Sequence, residues 1–551
     1  MERIEEPIPS YLISDLPEIH AHASQRRNRK GLPSGTPAGL AWRPRGRDPT
    51  PGDWNECLRV VALDAALTMS PSRNMEQHQL VVCGTYGEKL GHVNGKGKGL
   101  YVLKFDRSSL AFTEDFGKAQ LGDIFKNPSY VTVYRDSVAD RLDVYVVEES
   151  HSDAGFVAAL TLNESTGELA CNGEPNRRDL ADAAACCHVS VAPGGSHVLA
   201  ANYLTGSVVA IARLPDGKLD GTNVQYVDLP PATHPITYPL PNAARQERAH
   251  AHMVRVSAGT KSSTVLVPDL GSDVVWSIPF DAASLSAPLG EPVPSGSHPA
   301  LAGGGPRHLA LHPTEAVCYV CYELTSLVAA FKIDRKSGAI SDEPPVGLLC
   351  ALDGVGSHFL HGELPGAGAR LPSGCTVDAS KEFTRFVAPN WALEGTDASG
   401  LKPGHGRRVC SDKVTSLAAI GVAPDGSHLV VSSRIVGAPG ALSAIPLTPS
   451  GLFVDAHDHP IRVTRTLGET PRDFAMLPAL PSASPTKRQR RGNDNGGGAA
   501  TSAEPQAGML ALVANQDDDK IVVLCEGGPP TELTTKVPTP VCVCIVPSRK
   551  A

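Results

Sequence analysis

Four residues of this 551-residue chain have the side-chain types that proton transfer and anion binding require: His252, Arg307, Glu323 and Arg434. A carboxylate or an imidazole can take a proton from water. Two guanidiniums offer fixed forks of donors that match a carboxylate, a phosphate or a developing oxyanion, and they keep their charge. The four lie far apart in sequence, so only a fold can join them. Their local settings are alike. His252 and Arg307 open apolar segments, and Glu323 and Arg434 follow the second apolar run of such segments.

Those settings belong to a unit that recurs. CHVSVAPGGSHVLAANYLTGSVVAI begins at Cys187, HMVRVSAGTKSSTVLVPDLGSDVVWSI at His252 and RHLALHPTEAVCYVCYELTSLVAAF at Arg307. SLAAIGVAPDGSHLVVSSRIVG begins at Ser416, and PRDFAMLP at Pro471 is completed by MLALVANQDDDKIVVL from Met509. Each copy reads as strand, Pro/Gly turn, strand, polar turn and often a third strand. Weaker copies at 79–105 and 129–162 bring the count to seven. Repeats built of strands and turns imply radial repetition, in which no unit buries its own face alone. The expected fold is all-β, a seven-bladed β-propeller. The spare strand at 540–547, PVCVCIVP, is assigned to the first blade, because closure removes exposed sheet edges.

The expected organisation is a disordered or loosely wrapped extension over 1–55 and one propeller over 56–551. Insertion 357–412 separates blades five and six and contains FTRFVAPNWALEG; an eighth blade there is disfavoured because no paired second strand is visible. A low-complexity loop at 481–508 splits blade seven. Its basic run, KRQRR at 487–491, suits a solvated loop, with nuclear import as the alternative. A net charge of −8 argues against general affinity for nucleic acid or anionic membrane, and no apolar run is long enough for a membrane helix. The acidic start, MERIEEPIPS, is unlike a leader peptide, so a cytoplasmic location is expected. Thirteen cysteines sit mostly in predicted strands and read as small buried residues of a reducing compartment. Cys318 and Cys321 are three apart on a strand, so they face opposite ways and are poorly placed to share a metal.

Aligning the copies gathers further candidates. First strands open with His188, His252, Arg307 with His308, and Arg472. The turn after the second strand carries Tyr203, Asp269, Glu323, Arg434 and Gln516, with Glu149 from the second copy. Charged residues converging on a channel are costly without a ligand or mutual pairing. Two readings therefore stand: a ligand site, or ion pairs that tie neighbouring blades. RQERAHAH adds Arg248 and His250, and His250 with His252 would share a strand face as a conceivable metal pair that lacks obvious further ligands.

The ordered series GTYG, NPSY, CHVSVAPGG, ANYLTGSV, RQERAHAH, VPDLGSD, GGPRHLALHP, YELTS, VAPDGSHLVVSSR and ETPRDFA resembles the seven-bladed propeller lactonases, a family that includes propeller-type 6-phosphogluconolactonases and 3-carboxy-cis,cis-muconate lactonising enzymes. The resemblance runs from about residue 79 to the end, outside the two insertions. It implies that His252, Arg307, Glu323 and Arg434 form the site. Tyr322 and Ser433 replace the family's usual Asn before Glu323 and Arg434, Glu148 stands before Glu149, and Ala185 replaces a Pro or Gly. The two lost amides are expected to alter substrate contacts.

The chemistry implied is hydrolysis of a sugar-acid lactone, foremost 6-phosphogluconolactone. The arginines would hold the anionic group and the oxyanion, and Glu323 or His252 would act as general base. The same set could instead run the muconate cycloisomerisation. No cofactor is called for, and the partner expected is a small anionic lactone or carboxylate. A non-catalytic interaction platform is the reading from another class, since propellers host many functions.

Overall fold

Strands such as Val317–Tyr322 and Met509–Asn515 are apolar at nearly every position rather than at every second one. A strand of that kind must be covered on both faces. The computed structural model meets this demand by standing seven sheets side by side. It describes residues 77–113, 117–150, 155–177, 185–231, 245–297, 301, 303–352, 376–378, 385–387, 415–435, 437–454, 461–478, 509–525 and 534–549. The extension over 1–55 and the loop over 481–508 with its basic run lie outside these residues. All seven sheets belong to one unit, Met75–Ala551.

Each sheet is an antiparallel meander read outward from its inner strand. Blade two runs Pro128–Asp136, Arg141–Glu148, Phe156–Leu162 and Leu169–Cys171, and blade three Cys186–Val191, His197–Asn202, Ser207–Arg213 and Leu219–Asp228. Blade four runs Arg255–Ala258, Ser263–Asp269, Val274–Phe280 and Val293–Ser295, and blade five Pro306–Leu311, Val317–Tyr322, Leu327–Lys332 and Gly347–Cys350. Blade six runs Thr415–Val422, His428–Ile435, Ala438–Pro446 and Arg462–Arg465, and blade seven Pro471–Pro478, Met509–Asn515, Lys520–Cys525 and Thr534–Lys536. Blade one takes its inner strand from the far end of the chain: Pro540–Ile545 pairs with His78–Thr85, with Val81 opposite Ile545 and Cys83 opposite Val543. No α-helix occurs among the described residues, and none of their helices is long and apolar enough to cross a membrane.

The core is divided into seven apolar seams, one between each pair of neighbouring blades. The seam between blades seven and one joins Leu512, Ala514 and Ile521 to Val81, Cys83 and Val543. Alternate residues of one strand serve different seams. Cys318 packs between blades four and five and Cys321 between blades five and six, so the C-x-x-C pair does point to opposite faces. No described cysteine is in a disulfide. Within the insertion, Thr376–Asp378 pairs with Arg385–Val387 and with no other strand among the described residues. That hairpin is a pairing the sequence did not reveal.

Because Leu512 is fully buried in the seam that closes the ring, Leu512→Ala is expected to cost about 2–5 kcal/mol. Urea unfolding of the variant beside the wild type measures it.

Candidate active site at the mouth of the ring

One irregularity, repeated from blade to blade, builds this site. In blades two, three, five and seven the ladder skips one residue where the inner strand begins, leaving Ser129, Cys187, Arg307 and Arg472 unpaired. In blade four His252 takes the same place, since Ala251 bridges Asp269 and the His252 N–H donates to the Pro268 carbonyl. A bulge re-aims its side chain out of the strand's alternation. Beside each bulge ends the second strand of the same blade. The next residue there is Tyr86, Glu149, Tyr203, Glu323 or Gln516 in blades one, two, three, five and seven.

The structure brings His252, Arg307, Glu323 and Arg434 together. Glu323 is at the centre and buried. Its Oε2 lies 2.9 Å from Arg307 Nε and 3.0 Å from Arg434 Nη2, and its Oε1 accepts a bond of 3.0 Å from Arg245 Nη2. The Arg307 contact is an ion pair whose N–H points off the oxygen, so Arg307 Nε and likewise Arg434 Nε are buried donors without an acceptor among the described residues. Blade six anchors both guanidiniums. Its inner strand is irregular between Leu417 and Ile420, and Arg434 Nη2 donates to the Leu417 carbonyl (2.9 Å) while Arg307 Nη1 donates to that of Ala418 (2.6 Å).

Burial by itself would raise the Glu323 pKa, but Arg434, Arg245 and Arg307 outweigh it and hold the carboxyl well below its usual range. Burial and the carried-over field of Arg307 push His252 well below 6.5, so its imidazole is neutral. Burial, against the pull of Glu323, brings Arg434 down to about 10, which still leaves it charged at neutral pH. Arg245, half exposed, also donates to the Tyr203 hydroxyl at 3.2 Å.

A second cluster lies at the same structural level in blades one, two and seven. Arg472 Nη2 donates to the Tyr86 hydroxyl at 2.7 Å, and that hydroxyl donates to Glu149 Oε2 at 2.7 Å. The Arg472 guanidinium also sits over the Tyr86 ring, 5.1 Å from its centroid. Gln516 follows the second strand of blade seven.

Other expected residues are placed elsewhere. His188 and His308 stand one residue further along their strands than Cys187 and Arg307. Their rings meet at 5.7 Å, and His308 meets His252 at 5.3 Å, so the three form a column beneath the mouth. Asp269 is one step out of register. The ladder pairs it with Val274, as it pairs Asn202 with Ser207 and Tyr322 with Leu327. Leu270, not Asp269, therefore matches Glu323, and a one-residue slip reverses the face a side chain takes. Asp269 instead accepts the N–H groups of His250, Gly271 and Ser272 and the Trp276 indole N–H, an internal turn lock. His250 is stacked on Tyr203, with its ring nitrogens 2.9 Å from the Tyr203 carbonyl and 3.1 Å from Glu247. It is thereby taken from any metal pairing with His252, and no cluster of His, Cys, Asp and Glu among the described residues could hold a metal ion. Arg248 is exposed and reaches the Leu204 carbonyl, away from Glu323. Tyr322, expected to change substrate contacts, is buried and packs against Leu301, Leu309 and Leu327 in the seam between blades four and five, its hydroxyl on the Gly296 carbonyl. Ser433 is fully buried within its ladder opposite Leu417 and Ala441. Neither lost amide belongs to the mouth. Arg245 and Tyr86 were missed, although RQERAHAH and GTYG contain them; Tyr86 could have been found by extending the Glu323 register to the first copy.

The structure is thus a closed seven-bladed ring with a cationic mouth around one carboxylate. The family model described as "Lactonase, 7-bladed beta-propeller" matches residues 80–349, just under half of the 551-residue chain, and over that span the chain is similar to the family. A 6-phosphogluconolactonase of Bacillus subtilis (strain 168) is 29% identical over 247 residues, which is 45% of this chain and 62% of that protein. The match thus spans less than two thirds of that relative's length. The structure of a periplasmic gluconolactonase from Pseudomonas aeruginosa superposes with a TM-score of 0.54 at 20% identity, covering 85% of this chain and 99% of that one. A solved chain from Lactobacillus plantarum gives 0.53 at 20% identity over 85% and 100%. These two likenesses establish the fold.

The column of buried histidines makes stability depend on pH. Burial holds His252 and His308 well below 6.5, and burial together with Arg255 and Arg307 brings His188 to about 3. Each takes its proton only when the chain unfolds, so below pH 6.5 each histidine contributes a loss of stability approaching about 1.4 kcal/mol per pH unit. Three buried carboxyls oppose it in the same window, because burial raises Glu148 to about 7 and Asp273 and Asp473 to about 6, so the folded chain protonates them first. The histidine share is therefore read as a difference between wild type and variant. Urea unfolding between pH 7.5 and about 5 tests this, and His308→Phe should remove one proton's share of the slope.

Proposed function

We propose that the chain hydrolyses a sugar-acid lactone, 6-phosphogluconolactone foremost. The observation that carries this reading is the Glu323 carboxylate, held ionised among Arg245, Arg307 and Arg434 beside the neutral imidazole of His252. Three guanidiniums share one carboxylate, which leaves positive charge for an anionic substrate. Two buried guanidinium N–H groups still lack acceptors. A buried donor without a partner is unfavourable, and an oxyanion formed at a lactone carbonyl would satisfy it.

The two candidate bases differ. Both oxygens of Glu323 are occupied by arginines, and its proton affinity is depressed. It serves best as the counter-ion that gathers and aims the guanidiniums. His252 is neutral because burial and Arg307 disfavour its charged form. A bound anionic substrate would offset the fields of Arg307 and Arg472 on it and raise its proton affinity toward working pH, where a general base is most effective. His252 would then take a proton from the attacking water, the tetrahedral oxyanion would rest on Arg307 and Arg434, and ring opening would return the proton to the leaving oxygen.

Purified protein is expected to accelerate hydrolysis of freshly made 6-phosphogluconolactone above its spontaneous rate. Arg307→Ala should lower kcat/KM by about 10²–10³, and Arg307→Lys should not restore it because a point charge cannot replace the fork. No turnover above the spontaneous rate would sink the assignment.

A further inference from the structure

Blades five and seven carry the same construction with one atom changed. In blade five the bulge residue is Arg307, the residue after the second strand is Glu323, and the two pair at 2.9 Å. In blade seven the bulge residue is Arg472 and the residue after the second strand is Gln516. An amide has the shape of the carboxylate but no charge, so the blade gives Arg472 no counter-ion. The Gln516 amide turns its Nε2 to Asp517 at 3.0 Å, and its buried Oε1 has no donor among the described residues. Arg472 itself makes one hydrogen bond, to the Tyr86 hydroxyl, and no ion pair with a described carboxylate. The negative charge of Glu149 is kept one side chain away, behind the Tyr86 phenol. A pair built only for stability would set carboxylate against guanidinium directly, as blade five does; the half-buried Arg472 guanidinium instead keeps N–H groups open toward the mouth. Here the phenol fixes the guanidinium plane by a hydrogen bond and by its ring face, and leaves the other N–H groups without a partner among the described residues.

We propose that Arg472, held by Tyr86 and Glu149 and left without a counter-ion by Gln516, is a second anion subsite that takes the phosphate monoester of the substrate, remote from the lactone carbonyl at Glu323. This inference rests on the lactonase reading and extends it. One guanidinium fork would receive two phosphate oxygens, and Gln516 Oε1 would accept a hydroxyl of the sugar-acid chain. Blade seven is separated from blade five by blade six, and the fields of Arg472 reach His252 and Arg434. The subsite therefore decides phosphorylated over unphosphorylated substrate.

Gln516→Glu tests it by giving blade seven the counter-ion of blade five without changing side-chain shape. Calorimetric titration of the full chain with 6-phosphogluconate and with gluconate reads the preference directly, without turnover. The variant is expected to weaken 6-phosphogluconate about 10–100-fold, the worth of a charge-assisted contact, and to narrow its preference over gluconate by the same factor. Arg472→Gln should do likewise from the opposite side, with urea unfolding confirming that both variants fold. A wild-type protein that binds the two acids equally, or variants that weaken both alike, would overturn the subsite. Lactone turnover is scored separately. A protein that does not hydrolyse 6-phosphogluconolactone but binds 6-phosphogluconate in a Gln516→Glu-sensitive way keeps the subsite and loses the lactonase assignment.

Discussion

Every sheet of this ring is apolar on both faces, and none can stay in water except between two others. Tyr319 and Cys321 face the seam with blade six, while Cys318, Val320 and Tyr322 of the same strand face the seam with blade four. The demand runs round the circle and is met only when blade one receives Pro540–Ile545 from the far end of the chain. Without that strand, Val81 and Cys83 would lose ladder partners and the seam to Leu512 and Ile521 would open. Closure is thus the condition on which both the core and the geometry of the mouth rest.

The mouth takes its chemistry from the place where the ladder fails. A regular strand would alternate its side chains between two seams. The bulges at Ser129, Cys187, Arg307 and Arg472 free one residue per blade from that alternation. The ring then sets these residues beside the strand ends that carry Glu323, Tyr203 and Glu149. The irregular inner strand of blade six contributes differently, by offering the carbonyls of Leu417 and Ala418 to two guanidiniums. Burial would neutralise a lone carboxyl at such a place, but three guanidiniums keep Glu323 ionised, while burial, and then the Arg307 charge, keep His252 neutral.

One residue of register separates the residues of the mouth from those that serve turns and seams. Asn202, Asp269, Tyr322 and Asn515 end their strands and serve turns or seams: Asn202 accepts from the Cys186 thiol and donates to the Ser207 hydroxyl, and Asn515 donates to the Thr466 carbonyl. The residues that follow Asn202, Tyr322 and Asn515 line the mouth. This explains why replacing Asn by Tyr322 leaves the mouth's composition intact, and why Asp269 locks a turn.

The sequence by itself determined the number of blades and their all-β character, and singled out His252, Arg307, Glu323 and Arg434 as residues that meet, because a repeat prints its hydrophobic period and its odd polar residues once per copy. It also placed Cys318 and Cys321 back to back, since strand alternation is a local rule. Only the tertiary structure decided that Arg245 and Tyr86 join the site, that His250, Asp269 and Arg248 do not, and that His188 and His308 lie beneath it. These depend on where a bulge skips a residue and on which side chains from other blades arrive at the same point. A bulge leaves no mark in composition, and the meeting of Glu323 with Arg245 and Arg434, or of Arg472 with Tyr86, is made by closing the ring and not by any neighbour in the chain.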